Sequence, residues 1–482
     1  MHPSPAHQAA RHSASTAEHP RRLSATDRDL IRLVHEPGFP RWLQQITAIG
    51  GCAHPVYLAG HTTIYDATTG AVLHHYDTAH EPGGRMPVRC RNRRKSRCQP
   101  CSYLHAGDTF HLVRSGLLGG KGVSDRVQLH PRLFLTLTAP SFGAVHRANG
   151  GRLCRSRSAG GTCDHGRSLA CHRQHADDDP AVGQPLCPHC YDYTGHVLWH
   201  ACAGRLWNRF CHTVRRRLAT AAGITQSRLG EHLRLSFAKA AEYQKRGAIH
   251  FHAVIRLDGP DGPTTPPPAW VTPELLDEAI RSAASSVSLR TPYSPATGER
   301  LLHFGTQLDV HSVTSRALTD SAAVTDDAVA AYVAKYVSKG VGDAGGIDRR
   351  ITHYASIHHA PVNAHLRALM GTCWRLGGLP ELHTLNLRAW AHTLGYRGHA
   401  LTKSRHYSTT YRQLRATRAE HRVGLGMEVL NGDGMIRESA WRYVGSGHSL
   451  TEAEIASGVA LGFSRARDSH RESLRCRGEN AE

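Results

Sequence analysis

Residues 248–257 read AIHFHAVIRL, and this stretch decides the fold that the sequence predicts. Its apolar and β-branched residues are typical of a strand, on which residues i and i+2 point to the same face. His250 and His252 therefore share one face. Residues 233–243 form a second strand-like run, and the intervening turn at residues 244–247 (QKRG) predicts a β-hairpin.

Glu242 is a carboxylate in the otherwise apolar first strand of this hairpin, close enough across the turn to pair with His250. Two neutral imidazoles and one carboxylate hold a divalent ion and leave positions open for water or phosphate oxygens. The alternative is that His250 and His252 are ordinary strand residues in a chain that contains 37 histidines. Both interpretations remain open from the residues alone.

Residues 332–339 read YVAKYVSK and follow a helix start at Thr325. A spacing of four places Tyr332 and Tyr336 on one helix face, with Lys335 and Lys339 on an adjoining one. A tyrosine that attacks a phosphodiester forms a phosphotyrosine link and frees a 3′-hydroxyl, and a lysine or a metal ion lowers the barrier. The structural alternative is that the tyrosines only flank a buried valine stripe.

The chain has 482 residues, with 59 Lys+Arg against 39 Asp+Glu and a net charge of +20. This excess indicates a protein that binds the phosphates of nucleic acid. The cations that we expect to contact DNA are Arg91, Arg93, Arg94, Lys95, Lys403 and Arg405. The sequence has neither an apolar run of membrane-spanning length nor a signal peptide, so we expect a cytoplasmic protein without a membrane partner.

Thirteen cysteines in a reducing compartment point to metal ligands rather than disulfides. Two CxxC pairs, Cys98/Cys101 and Cys187/Cys190, are each able to bind one zinc ion from two sides in a tetrahedral Cys₄ site, and Cys90 lies near the first pair. A second site is expected from Cys154, Cys163 and Cys171 with nearby histidines. Most of these ligands fall in residues 143–192, a Cys/His-rich segment without periodicity that we call the insertion.

The two motifs together, HFH on a strand and YVAKYVSK on a later helix, resemble the HUH endonucleases with two active-site tyrosines. With CRNRRKSRCQPC, LFLTLTAP, LCPHCYDY and LGYRGHALTKSRHYSTT, the chain resembles replication initiators of actinobacterial plasmids and integrative elements over about residues 85–415. The resemblance implies strand-specific nicking at an origin with Mg²⁺ or Mn²⁺. It implies that His250, His252 and Glu242 bind that metal and that Tyr336, then Tyr332, act as nucleophiles.

The resemblance also implies an α+β fold: a ferredoxin-like HUH palm, in which helices cover an antiparallel sheet, with a zinc-stapled insertion. We expect an N-terminal region (1–85, disordered at its start), a nicking domain (86–345) and a basic, mostly helical C-terminal region (346–482, with a disordered tail). The sequence contains no phosphate-binding loop for ATP, so the expected partners beside origin DNA are a host helicase and DNA polymerase. The alternatives are an HUH transposase or relaxase, and a zinc-containing DNA-binding regulator without catalysis.

Overall fold

The computed structural model describes residues 24–154, 161–314, 324–337, 341–347, 349–424 and 434–479. The chain divides into two compact units, Met1–Arg89 with Ile436–Glu482 and Cys90–Met435. This division differs from the boundary that the sequence predicted at residue 345, because residues 346–435 belong to the same unit as the histidine hairpin. The predicted disordered ends and Lys339 fall on residues 1–23, 480–482 and 338–340, which lie outside the described residues.

In its described residues, the first unit combines a small sheet with three α-helices. In the sheet, β1 lies between β12 and β2, and β3 also pairs with β1. Its elements are α1 (Ala25–Val34), α2 (Phe39–Ala48), β1 (Val56–Asp66), β2 (Val72–Asp77), β3 (Met86–Val88), β12 (Met435–Ser446) and α10 (Leu450–Glu479).

The second unit is built on a six-stranded sheet with the order β10-β9-β4-β6-β5-β11. The sheet is antiparallel except for the short parallel pair β10 and β9. Its elements are α3 (Gln99–Leu118), β4 (Arg132–Leu137), α4 (Tyr193–Ala221), β5 (Arg234–Tyr243), β6 (Ile249–Asp258), α5 (Pro273–Ser286), β7 (Ser288–Arg290), β8 (Leu301–His303), β9 (Leu308–Thr314), β10 (Val324–Thr325), α6 (Asp326–Val337), α7 (Ala355–His358), α8 (Ala364–Leu376), β11 (Leu401–Lys403) and α9 (Tyr411–Gly424).

Each face of this sheet carries its own core. Phe251 and the odd-numbered leucines of β4 pack with α4, α5 and α8 on one face. Phe134 and Val254, one residue out of phase with them, pack with α3 and α6 on the other face. Because neighbouring strand residues point to opposite faces, the strands supply apolar side chains to both cores. We refer to α6 as the tyrosine helix, and it lies on the second of these faces.

The predicted hairpin is confirmed, with Glu242 directly opposite His250 in the β5–β6 register. The sequence also predicted β4, α4, α5, β9 and the tyrosine helix close to their observed ends. Between β4 and α4 the described residues contain no helix or strand, as expected for the insertion. The 20-residue helix α3 was not predicted, and residues 346–482 include β11 and the 12-residue strand β12 besides helices. None of the helices in the described residues combines the length and apolar character that a membrane crossing requires.

Candidate active site and metal centres

The β5–β6 hairpin brings the predicted metal ligands to one face of the sheet. Glu242 Oε2 lies 3.0 Å from His252 Nε2, and the rings of His250 and His252 are 6.3 Å apart. On the neighbouring strand β4, Thr136 Oγ1 lies 3.0 Å from His252 Nδ1. The His252 ring is therefore held at both nitrogens, by a carboxylate and by a hydroxyl. The ligand atoms of His250, His252 and Glu242 are further apart than those of the Cys/His groups in the described chain. In each of those groups all ligand atoms lie within 4.8 Å of one another.

The tyrosine helix places both phenol rings over this histidine. Tyr332 and Tyr336 lie 5.1 Å and 5.8 Å from the His252 ring, and their own centroids are 4.4 Å apart. Phe134 of β4 contacts Tyr332 edge-on from below, at 5.7 Å. Lys335 is exposed, with its Nζ 5.6 Å from the ring of Tyr336. The valine stripe of the helix is buried, so the structural alternative explains the packing but not the convergence of both tyrosines on His252.

Burial controls the ionisation of this site. It lowers the pKa of His250 to about 3, with smaller contributions from Arg246 and His252, so the ring is neutral and its lone pair is available to a metal ion. Burial also raises the pKa of Tyr332 above its usual range, and the neighbouring Tyr336 and Glu242 add to this. Tyr332 is therefore a neutral phenol, which needs help to lose its proton before it can act as a nucleophile.

A groove of about 1140 Å³ opens beside these residues within the second unit. It runs from Tyr332 and His252 along the β5–β6 turn to the first and last parts of the insertion. Arg147 of the insertion and Lys245 of the turn line the groove with exposed side chains. Within the described residues, neither cation pairs with a carboxylate. The groove therefore leads from Tyr332 to two cations that do not pair with a carboxylate.

Both ends of the tyrosine helix are held by arginines from other elements. Arg132 of β4 donates from Nε and Nη2 to the two carboxylate oxygens of Asp326, each at 3.1 Å, and both side chains are buried. At the other end, Arg93 Nη1 donates to the carbonyl oxygen of Val337 at 2.9 Å. A cation there satisfies one of the last carbonyls of the helix, which have no partner within the helix itself.

The six cations that were predicted to contact DNA are in different situations. Arg91, Lys95 and Arg405 are exposed, whereas Arg93 and Arg94 are partly buried. Lys403 donates from Nζ to three backbone carbonyls, those of Ser404, Arg405 and Ser408, and burial lowers its pKa. Arg93 and Lys403 thus have contacts within the fold.

The structure divides the predicted zinc ligands differently from the sequence, because the two CxxC pairs lie in different groups. In each group the candidate ligand atoms all lie within 4.8 Å of one another. The two groups of the insertion are His146, Cys154, Cys171 and His175, and Cys163, His165, Cys187 and Cys190. The thiols of Cys90, Cys98 and Cys101 also lie within that distance of one another. Cys163 thus joins the second CxxC pair rather than Cys154 and Cys171.

The group around His175 has the surroundings of a metal centre. Asp179 Oδ2 accepts from His175 Nδ1 at 2.6 Å and raises the pKa of the imidazole. The opposite ring nitrogen, Nε2, lies 3.5 Å from Cys171 Sγ and 3.2 Å from His146 Nδ1. A carboxylate behind a histidine fixes the tautomer that points its lone pair at the metal. Two thiolates and two imidazoles form a common ligand set for structural zinc.

The second group also favours thiolate chemistry. Burial alone raises the pKa of Cys163, but the backbone amides of Arg167 and His165 and the neighbouring thiols lower it to about 6. His165 Nδ1 lies 3.3 Å from Cys190 Sγ. Three thiols and one imidazole in this arrangement fit a tetrahedral zinc ion.

Four residues that position the site were not predicted from the sequence. Thr136, Arg132 and Asp326 form the contacts described above. The fourth is Arg246, which donates to the carbonyls of Pro140 and Ala139 and ties the β5–β6 turn to the end of β4. Alternation along LFLTLTAP gave a usable signal for Thr136, because it points to the opposite face from the core leucines. The sequence gives no comparable signal for the three charged residues, whose partners are distant in the chain.

Comparison with known proteins identifies the family of the chain. Residues 38–461 match the family described as "Replication initiator protein, pSAM2". The chain is 44% identical over 457 residues to a replication initiator protein of Streptomyces ambofaciens, covering 93% of this chain and 95% of that relative. No solved structure matches the chain. The extent of both matches shows that the chain belongs to the RepSA family of replication initiator proteins.

Proposed function

We propose that this replication initiator starts rolling-circle replication by nicking one strand of origin DNA with a tyrosine, as HUH endonucleases do. The observation that carries the proposal is the convergence of Tyr332 and Tyr336 on His252, itself bonded to Glu242. Four antiparallel strands, β9-β4-β6-β5, with helices on both faces, are compatible with the ferredoxin-like palm. An inert packing arrangement would not require a buried histidine paired with a carboxylate under two phenols.

The residues fit a divalent cation. His250, His252 and Glu242 would hold Mg²⁺ or Mn²⁺, which supplies polarisation of the scissile phosphate when bound. Thr136 keeps the His252 ring in place from the other side. Glu242 is partly exposed and reaches the groove, so its carboxylate lies where a hydrated ion enters.

In the proposed reaction, the phenol oxygen forms a bond to phosphorus and the bond from phosphorus to the 3′-oxygen breaks. The phenol gives up its proton, and the departing oxygen gains one to become the 3′-hydroxyl primer. The tyrosine keeps the 5′-phosphate. Tyr332 lines the groove and lies closer to His252, so we propose Tyr332 as the first nucleophile, the reverse of the order that the resemblance implied.

The groove supports a single strand as the substrate. Its volume of about 1140 Å³ suits several nucleotides rather than a duplex, and Arg147 and Lys245 lie where flanking phosphates would run. A second tyrosine one helical turn away is placed to close the displaced strand. Host DNA polymerase would extend the primer, and a host helicase would unwind the duplex. Zinc in the insertion would hold the wall that carries Arg147.

Nicking of single-stranded oligonucleotides that tile the origin tests the proposal. The wild-type protein with Mg²⁺ or Mn²⁺ should cut one position and remain attached to the 5′ end. His252→Ala should abolish both products while the protein stays folded and binds DNA, because basic side chains supply most of the affinity. Origin binding without metal-dependent cleavage by the wild type would instead identify a zinc-containing regulator.

A further inference from the structure

The exposed side of α4 carries positive charge that neither the metal site nor the groove uses. Within its 29 residues the helix contains five arginines and no aspartate or glutamate. The arginines are Arg205, Arg209, Arg215, Arg216 and Arg217; all are exposed except Arg215, which is partly buried. In the described chain none of the five pairs with a carboxylate.

Three of these arginines lie in a line along the helix, together with His212. Arg205, Arg209, His212 and Arg216 follow at steps of four, three and four residues, which keeps them on one face. At 1.5 Å per residue the line is about 16 Å long, which spans several phosphates of a DNA strand. The opposite face of α4 is buried in the core against the sheet, so the line points to solvent.

Two hollows beside this line have the lining that phosphate groups prefer. One, of about 360 Å³, contains Arg215, Arg234 and His406 with Ser236 and Ser404. The other, of about 370 Å³, contains Arg209, Arg216 and Thr213 with Ser286 and Ser288. The hollows share His212 and Gln226, and no carboxylate lines either one. Guanidinium groups next to hydroxyl and amide donors are the usual contacts of proteins to the DNA backbone.

We propose that this surface, the outer face of α4 with its two hollows, binds the backbone of duplex DNA. The inference rests on the proposed binding of origin DNA but not on the proposed cleavage chemistry. Single-strand binding relies on exposed aromatic rings as stacking platforms. The aromatic residues along the middle of α4, Trp199, Trp207 and Phe210, are all buried. The surface therefore presents side chains that donate to phosphates and no aromatic ring of this group on which a base could stack.

The surface also lies on the opposite side of the sheet from the tyrosines. α4 packs on the face that holds Phe251, whereas Tyr332 and His252 lie on the face that holds Phe134. One straight duplex cannot contact both faces at once. We therefore infer two separate DNA contacts, with the duplex held on α4 while one strand reaches the groove.

The test compares R209Q/R216Q with R32Q/R281Q in the full chain. The control also removes two positive charges, but its arginines, Arg32 and Arg281, already pair with Asp29 and Asp277 on their own helices. Fluorescence anisotropy with a labelled duplex of mixed sequence, over a series of KCl concentrations, gives the slope of log affinity against log salt. Each lost phosphate contact lowers the slope by about 0.9, so R209Q/R216Q should lower it by about 2 and the control should not.

Three results would overturn this inference. The first is an equal slope for the two variants. The second is an equal loss of slope on a single-stranded oligonucleotide, which would make the surface a general polyanion site. The third is an unchanged slope with loss of replication in cells, which would indicate that the surface binds an acidic protein instead of DNA. Failure of the wild type to cut DNA would refute the proposed nicking reaction and leave this measurement intact.

Discussion

Thr136→Val tests whether His252 is a metal ligand. It changes a neighbour that contacts the His252 ring but is not itself a proposed ligand. The substitution keeps the shape of the side chain and removes only the hydroxyl that lies 3.0 Å from His252 Nδ1. Without a metal ion, His252 Nε2 donates its proton to Glu242, and His252 Nδ1 accepts from the Thr136 hydroxyl. When Nε2 gives its lone pair to a metal ion, Nδ1 carries the proton and donates to the same oxygen. A hydroxyl serves both states because it donates and accepts, whereas a methyl group serves neither.

The size of the expected effect follows from groups that orient metal-bound histidines in other proteins. Removal of a group that orients a metal-bound histidine typically lowers metal affinity or activity by about 10- to 100-fold. We expect Thr136→Val to raise the Mn²⁺ concentration for half-maximal nicking by that factor. Saturating Mn²⁺ should restore most of the rate, because the ligands themselves remain. The assay is nicking of a single-stranded origin oligonucleotide across a Mn²⁺ titration.

Thr138→Val is the matched control, since Thr138 is two residues further along the chain and donates instead to the carbonyl of Gln307. It loses a neutral hydrogen bond without touching the histidine. Equal metal dependence of Thr136→Val, Thr138→Val and wild type would refute the assignment of His252 as a metal ligand. A loss of rate in Thr136→Val that no concentration of Mn²⁺ rescues would also contradict it.

The other predictions concern the tyrosines, the insertion and the anchor of the tyrosine helix. Tyr332→Phe should reduce the covalent DNA adduct more than Tyr336→Phe, and the double variant should form none on a denaturing gel; a persistent adduct would move the nucleophile elsewhere. Zinc analysis of the purified protein should find at least two ions per chain, and Asp179→Asn should weaken retention against a chelator about 10- to 100-fold, because that carboxylate orients His175. Asp178→Asn is its control, and equal retention by both would exclude Asp179 from the site. Asp326→Ala should lower the free energy of unfolding in urea by about 3–5 kcal/mol, because it removes the carboxylate that forms an ion pair with the buried Arg132; a loss below about 1 kcal/mol would contradict this prediction.

The sequence predicted the hairpin and the tyrosine helix because local patterns encode both. Strand alternation around His250 and His252, the QKRG turn and the four-residue spacing of Tyr332 and Tyr336 are short-range signals. Their convergence was not encoded locally, and it came from the resemblance. The structure adds the position of β4 between β9 and β6, which brings Phe134 beneath Tyr332.

Helix α3 was missed because it lacks a one-sided apolar pattern. Its buried residues include Asp108, Thr109 and Ser115, since neighbours cover several of its sides. Gly116 is required there, because a Cβ at this position would overlap the ring of Tyr407. Such residues read as polar surface or as a helix breaker in the sequence, although tertiary contacts explain each of them.

The grouping of the cysteines was beyond sequence reasoning for a different reason. CxxC spacing shows that two thiols can share one ion, but it does not say which distant residues complete the site. The irregular path of the insertion brings Cys163 and His165 to Cys187 and Cys190, and returns Cys171 and His175 to His146 and Cys154. Segments without helix or strand have no periodicity from which such contacts could be predicted.

The Cys90–Cys101 segment links a group of thiols to the tyrosine helix through Arg93. Three thiols within 4.8 Å of one another, those of Cys90, Cys98 and Cys101, fold this segment back on itself. Arg93 lies inside the resulting loop and donates to the last carbonyl of the tyrosine helix. At the other end of that helix, Arg132 and Asp326 make a buried pair. The two phenols are therefore positioned from both ends. In the proposed nicking reaction, a thiol cluster more than 200 residues before the tyrosines would therefore influence catalysis without contacting the substrate.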